Sequence, residues 1–488
     1  MDYMNDSSLR RAKKVTLPSL SITELCHSGD DGAFLVTEAD EPYFARYVMA
    51  DGVGGRRDGL PNWVPAQFNL YPLVLEGSGQ PWAEACLYLL AGLEGTPGPD
   101  MRTYDAKALD LAAYRRFVEE TKIDWTDFHK NKLFRPTYRY CAHLNLMLRT
   151  GELGARTLNR RMGSVVGFYR WLVSEGLFTP ANPPWKERDV YISSKDSFGF
   201  QRTKAIKSTD LAIPVAEQQD TFDETIQDGG RLRPLPLEEQ EWLLSALQAA
   251  GNTEMILIHL MALVTGARLQ TVCTLKVWHT EMASLSDDPN EIVKLPIGPG
   301  TGVDTKRNKR LVLHIPGWFY RTLQTYSVSH RACRRRQKCG REDSSQYLFL
   351  TQHGTPYYTD KQERQTFDPK NKRRYDFDGG AIGTFIRNVI RPYVQKNFGC
   401  KKFDFSFHDT RATFGMNLTD LLLKQVETGK MTLSEVREFV KARMGHESAA
   451  TTDLYLNYRH RLKFKRAVVG QHESHLKELC RRAMEGVL

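Results

Sequence analysis

The chain has no apolar run of about 18 residues, the length a helix needs to cross a bilayer, so no membrane span and no membrane partner are expected. Its first residues, Met1-Asp2-Tyr3-Met4-Asn5-Asp6, lack the charged-then-apolar pattern of a secretory signal, and a cytoplasmic protein is expected. Clustered cysteines are missing as well. The eight cysteines, Cys26, Cys86, Cys141, Cys273, Cys333, Cys339, Cys400 and Cys480, include no close pair of pairs and read as reduced thiols. Cys333 and Cys339, near His330 and His353, fit no common zinc spacing. No carboxylate cluster suits two metal ions. Neither a metal nor a cofactor is therefore expected. No internal repeat is visible.

Charge is present and uneven. The net charge of +10 comes from 68 Lys and Arg against 58 Asp and Glu. Residues 1–100 hold 7 basic and 14 acidic residues, so residues 101–488 hold 61 and 44, a net of +17. A basic body behind an acidic front points to a polyanion partner. Charge alone leaves DNA, RNA and an acidic membrane open.

A length of 488 residues allows roughly two to four domains, and 41% hydrophobic residues suffice for ordinary cores. Residues 1–100, rich in Gly and Pro, read as an acidic loop-rich module of unassigned fold, with one short helix between Trp82 and Leu93. Residues 101–184 show helical periodicity over 106–121, 137–148 and 158–175 until Pro180, Pro183 and Pro184 stop it. Arg160, Arg161 and Arg170 decorate the last of these helices and are candidate DNA contacts. Residues 185–231 read as a polar linker. Residues 232–458 read as a mixed α+β domain, with strands over 292–297 and 311–315 joined by a basic tip carrying Lys306, Arg307, Lys309 and Arg310. A basic insertion is expected over about 331–376, around a strand at 347–350. The sequence Thr432-Leu433-Ser434-Glu435 is a capping box, opening a helix that ends near Gly445. Residues 459–488 form a tail whose Leu476, Leu479, Cys480 and Ala483 recur at helical spacing. The fold class expected is mainly α with a small β-sheet.

Four stretches of the second half carry reactive groups. They are Thr265-Gly266-Ala267-Arg268, Thr305-Lys306, His408-Asp409-Thr410-Arg411 and Gly445-His446, the last standing nine residues before Tyr455. Two arginines suit the two non-bridging oxygens of a phosphodiester, because each planar fork donates two hydrogen bonds and stays charged. A tyrosine, with an ordinary pKa of about 10, becomes a usable nucleophile among cations. Its product would be a phosphotyrosyl ester that needs neither water nor metal. Tyr458, three residues on, is the rival nucleophile, and Lys309 is the rival of Lys306 on the same loop.

This ordered set resembles the tyrosine recombinases, the phage integrase family. Their Thr-Gly-x-Arg box, hairpin lysine, His-x-x-Arg box and Gly-His box with a following tyrosine fall on Arg268, Lys306, His408 with Arg411, His446 and Tyr455. The likeness covers roughly residues 103–460. An acidic residue usual three positions after the first arginine is Thr271 here.

The resemblance implies that Arg268 and Arg411 hold the scissile phosphate while His408 and His446 assist proton transfer. It also implies that Lys306 protonates the leaving 5′ oxygen and that Tyr455 attacks. Arg307 and Lys309 would contact DNA. It further implies a helical core-binding domain and a catalytic domain forming a C-shaped clamp around duplex DNA. Four protomers would meet in the synaptic complex, with accessory or companion recombinase proteins as further partners and a nucleoid location. The function expected is site-specific recombination for a mobile element. The alternatives are a type IB topoisomerase-like enzyme and a non-catalytic DNA-binding protein of the same fold. The family likeness also implies that the tail docks on a neighbouring protomer.

Overall fold

Two nine-residue strands, Lys13–Ser21 and Gln67–Leu75, pair antiparallel, from Lys13 opposite Leu75 to Ser21 opposite Gln67. The pairing skips Pro18 and Leu70, and Leu70 has a left-handed φ of 56°. The register is the same on both sides of this gap, so a proline without an N–H facing an αL residue interrupts the ladder without ending the ribbon. This computed structural model describes residues 11–37, 39–51, 63–93, 96, 98–195, 201–213, 224–286, 288, 290–459, 477 and 481. The chain divides into two units, Met1–Gln218 with Arg364–Asp376, and Gln219–Glu363 with Phe377–Leu488.

In the first unit the ribbon packs with the helices Ala83–Ala91, Met101–Glu120, Pro136–Arg149 and Ala155–Ser174. Tyr71 and Val74 of the ribbon share one core with Trp82, Tyr114, Phe168 and Tyr169. The acidic front and the helical stretch after it thus bury their apolar faces together. Small sheets are added by Thr23–Leu25, Phe34–Val36 and Tyr43–Tyr47, and by Met49–Asp51 with Trp63–Pro65. The polar stretch after Pro184 contains a hairpin, Glu187–Lys195 with Gln201–Thr209, where a linker is expected. Periodicity does not reveal it, because polar and charged residues dominate both strands.

The segment Arg364–Asp376 belongs to this unit although it lies far along the chain. The Asn69 amide donates to the Arg364 and Thr366 carbonyls at 3.2 and 2.6 Å, and Asn371 donates to the Pro18 carbonyl at 3.1 Å. Arg102 pairs with Asp376 at 2.8 Å.

The second unit is helical around one hairpin, Ile292–Ile297 with Leu311–Pro316. Its core joins Leu243, Ile258, Val272, Leu295, Phe319 and Phe405. The helices are Leu237–Ala250, Thr253–Thr265, Leu269–Cys273, Gly317–Val328, His330–Cys339, Lys361–Gln365, Gly380–Phe385, Arg391–Asn397, Asp409–Glu427, Leu433–Met444 and Ala449–Leu456. A π turn, Ile386–Ile390, precedes Pro392, which lacks an N–H and so favours a local widening of the helix. The expected fold class, mainly α with small antiparallel sheets, holds.

Part of the basic stretch after 330 is structural. Arg331 and Arg335 grip the buried Glu254 at 2.7 and 2.8 Å, and Tyr326 donates to the same carboxylate at 2.9 Å. The expected strand at 347–350 is present only as isolated bridges, Lys276 with Tyr347 and Leu350 with Pro356. Apart from Arg459, Lys477 and Arg481, the tail lies outside the described residues.

Candidate active site

Local chain geometry aims each predicted side chain. The helix Thr253–Thr265 ends at Gly266, which is left-handed at φ 70° and donates its N–H to Ala262. Arg268 then caps the next helix. His408 occupies the same position before Asp409–Glu427, which puts Arg411 on that helix's first turn. The capping box forms as expected, with Thr432 Oγ1 and the Glu435 carboxylate bonding each other's backbone N–H. Its helix stops at left-handed Gly445, and the chain turns to present His446. Tyr455 sits on Ala449–Leu456 and is fully buried.

Four of these groups converge on one carboxylate, that of Asp228. Arg411 Nε donates to Oδ2 at 2.7 Å, His446 Nε2 lies 3.3 Å from it, and Tyr455 Oη donates to it at 3.2 Å. Arg268 Nη2 donates to Oδ1 at 3.3 Å. The other two guanidinium nitrogens of Arg411, Nη1 and Nη2, donate to the Gly266 and Met444 carbonyls at 2.7 and 2.6 Å. Because Asp228 can only accept, His446 carries its proton on Nε2, and Nδ1 accepts from Thr452 Oγ1 at 3.0 Å. The His446 ring stacks on Tyr455, with centroids 5.5 Å apart.

Lys306 stands at the tip between the two strands, in a tight turn where Arg307 and Asn308 are both left-handed. Its Nζ lies against Gly229, so close that a Cβ there would sit 2.5 Å away. Gly229, at φ 74°, belongs to the facing turn that carries Asp228, and its positive φ is what that turn requires. Thr271, found where an acid is usual, donates to the Asp304 carbonyl at 2.9 Å and so holds the loop that delivers Lys306. His408 and Lys306 face the same site without bonding the carboxylate.

The electrostatics follow from this packing. Burial alone would raise the pKa of Asp228, but the His446 hydrogen bond and the charges of Arg411 and Arg268 hold it far below the usual carboxylate range. Burial raises the Tyr455 phenol well above 10, and the Asp228 charge adds to this. Burial lowers His446, and Asp228 only partly offsets it. The packing around His408 and the Arg268 charge lower that imidazole too, so both rings are neutral near pH 7. Burial and Arg268 lower Lys306.

The other candidate DNA contacts are all engaged internally. Arg160 pairs with the buried Asp110 at 2.9 Å, and Arg161 lies 4.0 Å from the same carboxylate. Arg170 pairs with Glu187 at 3.3 Å and lies over the Trp185 ring. Arg307 and Lys309 pair with Glu447 at 3.1 and 2.9 Å. Tyr458 donates to the Glu224 carbonyl at 3.0 Å. Asp228, Thr271 and Thr452 are the site residues that residue patterns had not picked out. The only trace of the first was the turn-forming sequence Asp228-Gly229-Gly230. Among the described residues, no group of three or more His, Cys, Asp or Glu could hold a metal ion.

No protein-family model matches this sequence, and no curated protein matches it. Solved structures do. A Tn1549 transposon integrase in complex with a circular intermediate DNA is 15% identical, with 77% of this chain and 94% of that one covered and a TM-score of 0.40. A lambda integrase dimer bound to a COC′ core site is 14% identical, with 77% and 95% covered and a TM-score of 0.41. A lambda integrase tetramer bound to a Holliday junction is 13% identical, with 75% and 77% covered and a TM-score of 0.40. The chain is thus similar, over about three quarters of its length, to solved integrase structures.

Proposed function

We propose that this protein is a site-specific tyrosine recombinase of a mobile element, cutting and rejoining duplex DNA through a 3′-phosphotyrosyl intermediate. The observation that supports this reading is the convergence of Arg268, Arg411, His446 and Tyr455 on a single anion position. A phosphodiester placed there offers its two non-bridging oxygens to the two guanidinium forks, which supply the charge neutralisation a metal would otherwise provide. Tyr455 Oη attacks phosphorus, the new O–P bond forms, and the bond to the 5′ oxygen breaks. The phenolic proton leaves through the neutral imidazoles, and Lys306, its pKa lowered, delivers a proton to the departing 5′ oxygen. The ester keeps the bond energy, so the reverse attack by another 5′ hydroxyl rejoins strands. Recombination pairs two sites, so the working assembly is four protomers on two duplexes.

The nucleophile is tested on nicked suicide duplexes, with and without excess EDTA. Wild type and Tyr458→Phe should form a covalent protein–DNA adduct in both conditions, whereas Tyr455→Phe should bind the duplex and form none. An adduct that survives Tyr455→Phe, or that needs a divalent metal, defeats the reading.

A further inference from the structure

Nothing in that chemistry uses Asp228, yet its carboxylate occupies the centre of the site. It is buried, carries one negative charge on two oxygens, and takes the donors a phosphodiester would need. Those donors cannot serve two anions at once. The tip that carries Asp228 is minimal. Ile226 and Gln227 pair with Leu232 and Arg231, and Asp228 N–H closes the turn on the Gly230 carbonyl at 3.0 Å. Gly229 of the same turn crowds Lys306 Nζ. The root of the ribbon is held differently. Ile226 is buried with Phe414, Tyr455 and Tyr458, and the Glu224 carbonyl accepts from Tyr458. The ribbon is therefore anchored by apolar packing at its base and by ion pairs and hydrogen bonds to the Asp228 carboxylate at its tip.

We propose that the Asp228–Gly230 turn is a built-in competitor that occupies the scissile-phosphate position in the DNA-free protein and must withdraw before DNA is cleaved. It rests on the recombinase reading for the identity of the displacing ligand. While seated, the turn takes the Arg268 and Arg411 donors, accepts the Tyr455 proton in a hydrogen bond, and crowds Lys306 Nζ. The nucleophile is thus kept protonated until a phosphate arrives. Such a device keeps stray anions out of the cluster.

The test uses the full chain, with Asp228→Asn as the variant and orthovanadate as a tetrahedral phosphate analogue. Asp228→Asn should bind vanadate at least tenfold more tightly than wild type by titration calorimetry, and should form the Tyr455 adduct faster on nicked DNA. Equal vanadate affinity in the two proteins overturns the proposal. So does a slower adduct in the variant, which would make Asp228 a positioning residue. If Asp228→Asn does not fold, hydrogen exchange on wild type decides. Amides of 226–232 should exchange faster once vanadate or a duplex half-site is added, and unchanged or slower exchange overturns the proposal. Absence of any Tyr455 adduct in both proteins would sink the recombinase reading, and the vanadate comparison would still judge the turn.

Discussion

Two tyrosines three residues apart on adjoining turns end in different surroundings. Tyr455 Oη reaches the anion position, and Tyr458 Oη is spent on a backbone carbonyl. Spacing makes the first the candidate nucleophile, and packing sets the two hydroxyls apart. Asp228 has its own measurable signature. Its folded pKa is depressed, so its pairing stabilises the fold wherever the unfolded carboxyl is ionised, above about pH 4, and is lost as pH falls towards the folded value. Removing one partner from a buried ion pair costs about 3–5 kcal/mol, and asparagine, which keeps an acceptor oxygen, should cost less. The stability advantage of wild type over Asp228→Asn should be constant from about pH 4 to 7 and shrink below that. Urea unfolding at stepped pH measures it, and a difference independent of pH down to 2 would mean the carboxylate carries no such load. The six catalytic candidates were legible because their chemistry lies in short local boxes. Asp228 was not, because its partners lie 183 and 227 residues away and a polar Asp-Gly-Gly run looks locally like any turn.

Elements were legible where one period or one cap dominated. The helix opened by Thr432 and closed by Gly445 followed its capping box, and the hairpin around Lys306 followed its β-branched runs. The ribbon Lys13–Ser21 with Gln67–Leu75 was hidden by Pro18 and Pro72, which argue against central strands and are tolerated in a two-stranded ribbon because each strand has a free edge. The basic run after 330 was hidden for another reason, since Glu254, which fixes it, lies far upstream. The Lys306 hairpin makes its own prediction. Thr271→Val removes one of the bonds that hold Asp304, a loss of about 1 kcal/mol, but it loosens the loop presenting Lys306, the proposed proton donor. Misplacement of a catalytic group by about 1 Å can lower a rate about 10²-fold. Single-turnover cleavage should fall about tenfold or more, half-site affinity should hold, and Thr271→Ser should restore the rate. A matching loss of affinity would show that the threonine serves the fold rather than the lysine.

For the whole molecule, the basic surplus is partly committed internally. Arg160, Arg170, Arg307 and Lys309 each have a carboxylate partner. The net +17 of residues 101–488 still predicts binding that weakens steeply with salt, with a log–log slope of about −0.9 for each phosphate neutralised. Replacing Glu447 by Gln should free Arg307 and Lys309 and tighten half-site binding at low salt. Electrophoretic shifts across a salt series read both quantities. A slope near zero would leave the basic body without its polyanion.

The segment Arg364–Asp376 gives the chain an uncommon connectivity. It leaves the second unit, completes the first, and returns. The backbone therefore passes between the units three times, after Gln218, Glu363 and Asp376. A fragment cut at the first passage would be an unfinished body, with Asn69 and Arg102 deprived of the carbonyls and the carboxylate they hold. During synthesis the first unit must wait for these partners until more than half of the second has been made. The two halves of this protein are thus bound by order of manufacture as well as by sequence, and a genetic exchange that swapped the front for another would have to carry thirteen distant residues with it.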